Sequence, residues 1–421
     1  MLREKVFGVL HPLRLSPGSA PGARIFSAGL PFGSARPSMN PLRILQLDSM
    51  LLGGGTDDQC VQLAAGLHRL GQQVILAGPG GREFCETIQS AGLPFFDTGN
   101  GASQLRFILR AARLIRRERI QVVHGHHGRD LWPAVLAAKI SGAKPKIVLT
   151  RHMAKSPASP ASRRFLLGQC DALIAVSQFV ARVLREGVYE PDSPEEERRR
   201  RPPLRGDHRK IHVIYGGIDT GRFRPRDAAR TRRELGLAPE HFGFAVAGGY
   251  DLPRGKGQRE FLTAAARMGG KVPRARFLII GRGSLAEVLR ADIARLGLTG
   301  KAWLTPYAAD MPAVMNAMDC LAHPQIGTEA LGLVICQAHA CGKPVIASAL
   351  DGIPEAFRAG HYGRLVTPEN VAELAGAMEA QAGEPGLDAA GAAALHEKVA
   401  RVFSLERLAG DVLRLYGDLL S

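Results

Sequence analysis

The sequence predicts an α/β protein made of two doubly wound domains that face each other across a cleft. Three observations carry this reading. Short apolar runs alternate with helical stretches along nearly the whole chain. The alternation occurs as two series joined by a basic segment. The length, 421 residues, suits two domains. Apolar strands alternating with helices form βαβ units, and such units build a parallel sheet covered on both faces.

The first series opens with "LRILQLD" (Leu42–Asp48), a buried strand. "GGGTDDQCVQLAAGLHRLG" follows as a glycine loop and an amphipathic helix, then "QVILAG" as a strand. "QLRFILRAARLIRRERI" predicts a helix with Leu105, Ile108, Leu109, Ala112 and Ile115 on one face and arginines on the other. "QVVHGH", "KIVLTRH", "ALIAVS" and "IHVIYGG" are further strands. "IDTGRFRPRDAARTRRELG" reads as the interdomain linker. The second series runs through "FAVAGG", a helix from Gln258, "RFLIIGRG", a helix from Leu285, "AWLTPY", "CLAHP", a helix after Gly332, and "PVIAS". "LERLAGDVLRLYGDLL" is a last amphipathic helix.

Two segments fall outside this pattern. Residues 1–40 are rich in Pro, Gly, Ser and Arg and carry Glu4 as their only acid; they are expected to be disordered. They show no secretory signal core, and fit either a transit peptide or a start at Met39. Residues 190–210 carry acidic and basic blocks with prolines, a solvated insertion expected at the sheet edge away from the ligand site. The domain boundaries expected are therefore 41–222, 223–403 and a terminal helix at 404–421.

Composition narrows the partners. There are 55 Lys and Arg against 39 Asp and Glu, a net charge of +16, which favours anionic partners such as nucleotides or an anionic membrane surface. Only 6% of residues are aromatic and no nucleic-acid module is visible, so no nucleic-acid partner is expected. No apolar run reaches the roughly 18–20 residues of a membrane span, and a cytoplasmic protein, soluble or peripheral at a membrane, is expected. The six cysteines form no C-x-x-C pair and no zinc spacing, and read as buried free thiols.

Ligands of doubly wound sheets collect at the C-terminal ends of the strands. After the first strand come Gly53, Gly54 and Gly55, where a backbone can approach a phosphate at a helix N-terminus; a plain tight turn explains them equally. Histidines end two successive strands, His124, His126 and His127 on one and His152 on the next, and converge on one crevice. In the second series "GGYDLPRGKGQREF" places Arg254 and Lys256 in a loop before a helix, which suits a pyrophosphate leaving group. Glu329 stands at the mouth of a helix whose free N–H groups, on Gly332, Leu333 and Val334, suit a phosphate or sugar oxygen.

Taken together, "GGGTDDQCVQLAAGLHRLGQQV", "VVHGHHG", "TRH", "AVS", "IYGGIDTGRFRP", "GYDLPRGKG", "FLIIGRGSL" and "GTEALGLVICQAHACGKPVIAS" with "GIPE" resemble the retaining GT-B glycosyltransferases of family 4, the glycosyl transferases group 1. The resemblance covers nearly all of 41–421. It implies two Rossmann-like domains, a nucleotide-sugar held mainly by the second, no metal requirement, and a final helix crossing back to the first domain. By motif, His126 would contact the donor sugar near the reacting centre. Gly54 and Gly55 would approach the diphosphate, and Lys256 would neutralise it as it departs. Glu329 would hold the sugar hydroxyls, and Leu333 with its neighbours would supply N–H groups.

Three positions depart from the family pattern. Gly249 stands where an Arg is frequent, with Arg254 as its replacement in charge. Gln337 stands where the second Glu of the E-x7-E segment meets the ribose. Gly216 stands where Asn usually precedes "GID". The expected reaction is transfer of a sugar from a nucleotide-sugar to the hydroxyl of a carbohydrate or lipid-linked acceptor, with retention, in lipopolysaccharide, polysaccharide or glycolipid synthesis. Front-face attack is expected, since the motifs offer no obvious nucleophile. Competing readings are a nucleotide-sugar 2-epimerase and a non-catalytic nucleotide-sugar-binding protein.

Overall fold

The structure, a computed structural model, describes residues 40–51, 54–79, 88–99, 103–157, 159–187, 202–251, 255–305 and 310–421. Residues 1–39 of the N-terminal extension, residues 190–201 of the predicted insertion, and Arg254 lie outside the described residues.

The first half runs β1 (Arg43–Leu47), α1 (Gly55–Arg69), β2 (Gln73–Gly78), β3 (Phe95–Asp97), α2 (Gln104–Arg117), β4 (Val122–Gly125), α3 (Leu131–Ser141), β5 (Lys146–Arg151), α4 (Pro160–Gln169), β6 (Ala172–Ala175), α5 (Gln178–Glu186) and β7 (Ile211–Val213). Its sheet has the order β3-β2-β1-β4-β5-β6-β7. The second half runs α6 (Ala229–Glu234), β8 (Phe242–Ala247), α7 (Gln258–Met268), β9 (Ala275–Ile280), α8 (Ala286–Arg295), β10 (Ala302–Thr305), α9 (Met311–Ala317), β11 (Cys320–His323), α10 (Leu333–Ala340), β12 (Val345–Ser348), α11 (Ile353–Gly360), β13 (Gly363–Val366), α12 (Val371–Gly383), α13 (Ala389–Phe403) and α14 (Leu405–Leu420). Its sheet has the order β10-β9-β8-β11-β12-β13.

Every strand pair described is parallel. In each sheet the order reverses at one point, between β1 and β4 and between β8 and β11, which are the crevices where such folds bind ligands. The strands are buried on both faces, which is why they read as continuous apolar runs rather than alternating ones. Strand β3 was not legible: "FFD" is three residues long and half-exposed.

Helix α2 differs from its expected orientation. Its buried stripe is Phe107, Ile108, Ala111, Ala112, Leu114 and Ile115, whereas Leu105 is 63% exposed and Leu109 37%. The true stripe lies one residue round from the expected one, because Phe107, Ala111 and Leu114 fill the space over the sheet and beside α3.

Helix α14 belongs to the core of the first half. Its Leu405, Leu408, Ala409, Val412, Leu415 and Tyr416 share a cluster with Ile44, Val61, Leu67 and Leu76. Helix α1 meets it at Gly66, where a Cβ would come within 2.9 Å of Ala409 Cβ. Close helix approach there requires glycine. The two chain crossings run side by side: Ile218 N donates to Phe403 O, and Leu405 N donates to Ile218 O.

Candidate active site

The C-terminal ends of the two sheets enclose a cleft of about 480 Å³. From the first half it is lined by Gly55, Gln59 and His152. From the second it is lined by Gly248, Lys256, Glu329, the first turn of α10 and Gln337.

The second-half wall is built at the switch point. After β8 the chain turns through Gly248 and reaches Lys256 just before α7. Gly257, with φ 84°, lies so close to the strand beside it that a Cβ would sit 1.9 Å from Pro324 O. Only glycine fits there, and this close approach brings the Lys256 loop against the end of β11. Lys256 Nζ donates to Glu329 Oε2 at 3.0 Å. The Glu329 backbone N–H donates to Asp351 Oδ2, and its carbonyl accepts from Gly352 N–H, so the β12–α11 turn fixes it from behind. Burial would raise the Glu329 carboxyl, but Lys256 and His323 outweigh it and hold it below its ordinary value of 4.5. It is therefore a carboxylate at neutral pH.

Helix α10 starts at Leu333 after Gly332, whose φ of 86° is left-handed. Leu333 and Val334 face the cleft, where helix N-terminal N–H groups lack intrahelical partners. Gln337, one turn on, also lines it. Lys256, Glu329, Gly332, Leu333, Val334 and Gln337 thus share one wall.

The first-half wall holds Gly55, the first residue of α1, with the cap residue Gly54 just before it. Gly54 has φ 145°, and a Cβ on either residue would meet open space. Gln59, further along α1, grips the hinge: its Nε2 donates to Gly217 O at 2.7 Å and its Oε1 accepts from Gly217 N–H at 2.8 Å. This explains Gly216, one of the departures from the family pattern. A Cβ there would lie 2.9 Å from Gln59 Oε1.

The histidines form a column. Ring centroids of His124 and His126 lie 4.1 Å apart, and those of His126 and His152 lie 5.7 Å apart. His126 Nε2 lies 2.5 Å from Gln46 Oε1, which can only accept, so Nε2 carries the proton. Its Nδ1 therefore accepts from His152 Nε2–H at 3.4 Å. At the far end Tyr416 OH accepts from Gln46 Nε2 and donates to His124 Nδ1, leaving His124 Nε2–H to donate to Thr150 Oγ1. Burial lowers His124 and His152 to about 3, and His126 well below 6.5, so the column is neutral. His152 lines the cleft. His126 is 2% exposed and does not; it stands behind His152 and touches the cleft through it. The strand ends converge, but Gln46 pulls the His126 ring inward.

Sequence reasoning missed three residues. His323 ends β11 fully buried beneath Glu329. Gln59 is hidden among helix-face polar residues. Glu355, in "GIPE", accepts from the N–H groups of Gln178 and Phe179 at the start of α5, in the other half of the protein. Beside it, Ser177 Oγ donates to Ala330 O. The backbone order of "GIPE" after a strand was visible; its partner across the cleft was not. Among the described residues no three His, Cys, Asp or Glu side chains are grouped to hold a metal.

Two parallel, doubly wound halves closed over a cleft of this kind define the GT-B architecture. The model of the glycosyl transferases group 1 matches residues 242–382, and that of glycosyltransferase family 4 matches residues 53–192. The D-inositol 3-phosphate glycosyltransferase of Actinosynnema mirum is 29% identical over 335 residues, 74% of this chain and 75% of that one. The enzyme of the same name from Rhodococcus erythropolis is 30% identical over 316 residues, 70% of this chain and 67% of its own. Anabaena Alr3699/HepE, solved with UDP, has the same fold with a TM-score of 0.72 at 21% identity, covering 90% of this chain and 100% of that one; it has also been solved with UDP-glucose. The chain belongs to the family 4, group 1 glycosyltransferases.

Proposed function

We propose that the protein transfers a hexosyl or related sugar from a nucleotide-sugar to an acceptor hydroxyl with retention. The observation that carries this is the Lys256–Glu329 pair beside the first turn of α10, at the switch point of the second sheet. A cation and a helix N-terminus suit a diphosphate, and an ionised carboxylate suits sugar hydroxyls. Gly55 lines the same space, and neither it nor Gly54 before it has a side chain to keep phosphate oxygens away. Glu329 is assigned to the sugar hydroxyls and the motifs offer no other evident nucleophile, so attack assisted by the leaving diphosphate fits better than a glycosyl-enzyme. Lys256 and the N–H groups of Leu333 and Val334 then take up the charge that develops on the diphosphate, and the cleft holds the acceptor hydroxyl on the face of the sugar from which the diphosphate departs. No metal enters this scheme.

The acceptor belongs to polysaccharide, lipopolysaccharide or glycolipid synthesis in this reading. Similarity to inositol phosphate glycosyltransferases adds a phosphorylated polyol as a further acceptor class. The solvent face of α2, with Arg106, Arg113, Arg116 and Arg117 beside exposed Leu105 and Leu109, suits the inner, anionic face of a membrane. Among the described residues no helix is long and apolar enough to cross one. Thermal shift with UDP-, GDP- and ADP-sugars tests the donor reading: one class should raise the melting temperature by mass action. No shift with any of them would refute it. Sedimentation with anionic vesicles at low salt tests the membrane face, and absence of binding would refute that part.

A further inference from the structure

Strand β11 ends in an imidazole that the reaction scheme leaves unused. His323 is 0% exposed, and neither ring nitrogen has a hydrogen-bond partner. Buried polar side chains are nearly always paired, so an exception calls for a reason. The charged groups acting on the ring are Glu329 and Lys256. Its Nε2 lies 3.9 Å from Glu329 Oε2, the same oxygen that accepts from Lys256 Nζ at 3.0 Å. A separation of 3.9 Å is too long for a hydrogen bond, but closing it takes a shift of only about 1 Å.

The two neighbours of Glu329 differ in kind. Lys256 is a flexible side chain, 41% exposed, on a loop between β8 and α7. His323 is fixed on a central strand, in register with Ala347 of β12. On the donor reading, which this inference rests on, an arriving diphosphate draws Lys256 towards itself. Glu329 would then be a buried carboxylate beside fresh negative charge. A carboxyl in that state tends to take up a proton, which turns one oxygen into a donor and weakens its acceptance of hydrogen bonds from sugar hydroxyls.

The geometry assigns His323 as the positioning residue that takes over Oε2 of Glu329 as Lys256 turns to the diphosphate, keeping the carboxylate ionised and aimed at the sugar. The neutral ring supplies one N–H, from Nε2, and no covalent step is involved. Lys256 and His323 thus serve the same oxygen in turn, the one before the diphosphate binds and the other after.

The test separates sugar recognition from diphosphate recognition. His323→Phe fills the space without an N–H, and His323→Gln keeps a donor. Affinities for UDP-glucose and UDP are measured by calorimetry, followed by GDP- and ADP-sugars and their diphosphates if UDP-glucose does not bind. His323→Phe should weaken the nucleotide-sugar about tenfold and leave the nucleoside diphosphate within about twofold, and His323→Gln should recover most of the loss. Histidine 15N spectra of the wild-type protein provide a readout that does not depend on the Phe variant folding. One buried Nε2–H resonance should move downfield when the nucleotide-sugar is added and be missing in His323→Gln. Equal weakening of both ligands, no weakening, or an unmoved resonance overturns the assignment while leaving the donor site standing. Failure of the wild-type protein to bind any of these ligands overturns the donor reading and this assignment with it.

Discussion

Replacing Lys256 with alanine removes a cation from the cleft and a partner from Glu329. Two unit charges 3.0 Å apart attract by about 5.5 kcal/mol at an effective dielectric of 20. Lys256 is 41% exposed, so water and salt return most of that, and the ligand-free protein should lose about 1 kcal/mol of stability. The larger effect belongs to the reaction. A donor aimed at developing charge is worth about 3 kcal/mol, so turnover should fall by about two orders of magnitude. Release of nucleoside diphosphate at saturating donor measures the turnover, and thermal unfolding measures the stability. Turnover within about threefold of wild type would remove Lys256 from the mechanism, even if stability fell as expected.

Other outcomes follow from the same geometry. Glu329→Ala should abolish turnover while the protein stays folded, and full activity would refute its role with the sugar. Gln337→Glu restores the usual family residue on the cleft wall and should tighten donor binding or leave it unchanged; marked weakening would refute the ribose contact. Tyr416→Phe leaves His124 Nδ1 and Gln46 Nε2 buried without their partner and should cost about 1–3 kcal/mol in denaturant unfolding. A change below about 0.5 kcal/mol would argue against that network. His124 is lowered from 6.5 to about 3 by burial, so the unfolded chain binds its proton first. The stability this group contributes is complete above pH 6.5 and is lost as pH falls towards 3. Asp48 and Asp130, raised by burial to about 7 and about 6, act with the opposite sign, so only a difference isolates the histidine. The stability gap between wild type and His124→Gln should therefore grow with pH by about 1.4 kcal/mol per unit between 4 and 6.5. A pH-independent gap would refute the buried neutral ring.

Much of the fold was legible because parallel strands buried on both faces leave continuous apolar runs, and those runs set the order of β1, β2, β4 to β6, β8, β9 and β11. The wall of the cleft was legible for a related reason. Lys256 and Glu329 lie in the loops that follow β8 and β11, and Gln337 one turn into the helix after β11, so the topology alone carries them to one sheet edge. What sequence could not give was distance across chain-remote elements. His126 and His152 both end strands, yet the hydrogen bond that His126 donates to Gln46 decides which of them meets the cleft. Glu355 stood in the sequence only as the last residue of "GIPE", and its partners are 176 and 177 residues away. The α2 stripe was misjudged because period alone does not say which of two adjacent apolar faces a neighbouring helix will cover.

Tyr416 has a consequence for how this protein comes into being. The ring is fully buried and orients the inner histidines of the first half, yet it is contributed by the last described helix. On a ribosome, β1 to β7 emerge early and have no lid for the α1 side of their sheet until α14 arrives. The first half must therefore wait, partly open, for nearly the whole second half to be synthesised. Cutting the chain at the linker would not release a finished domain, and a fragment ending near Gly217 should need residues 405–420 added in trans to become compact.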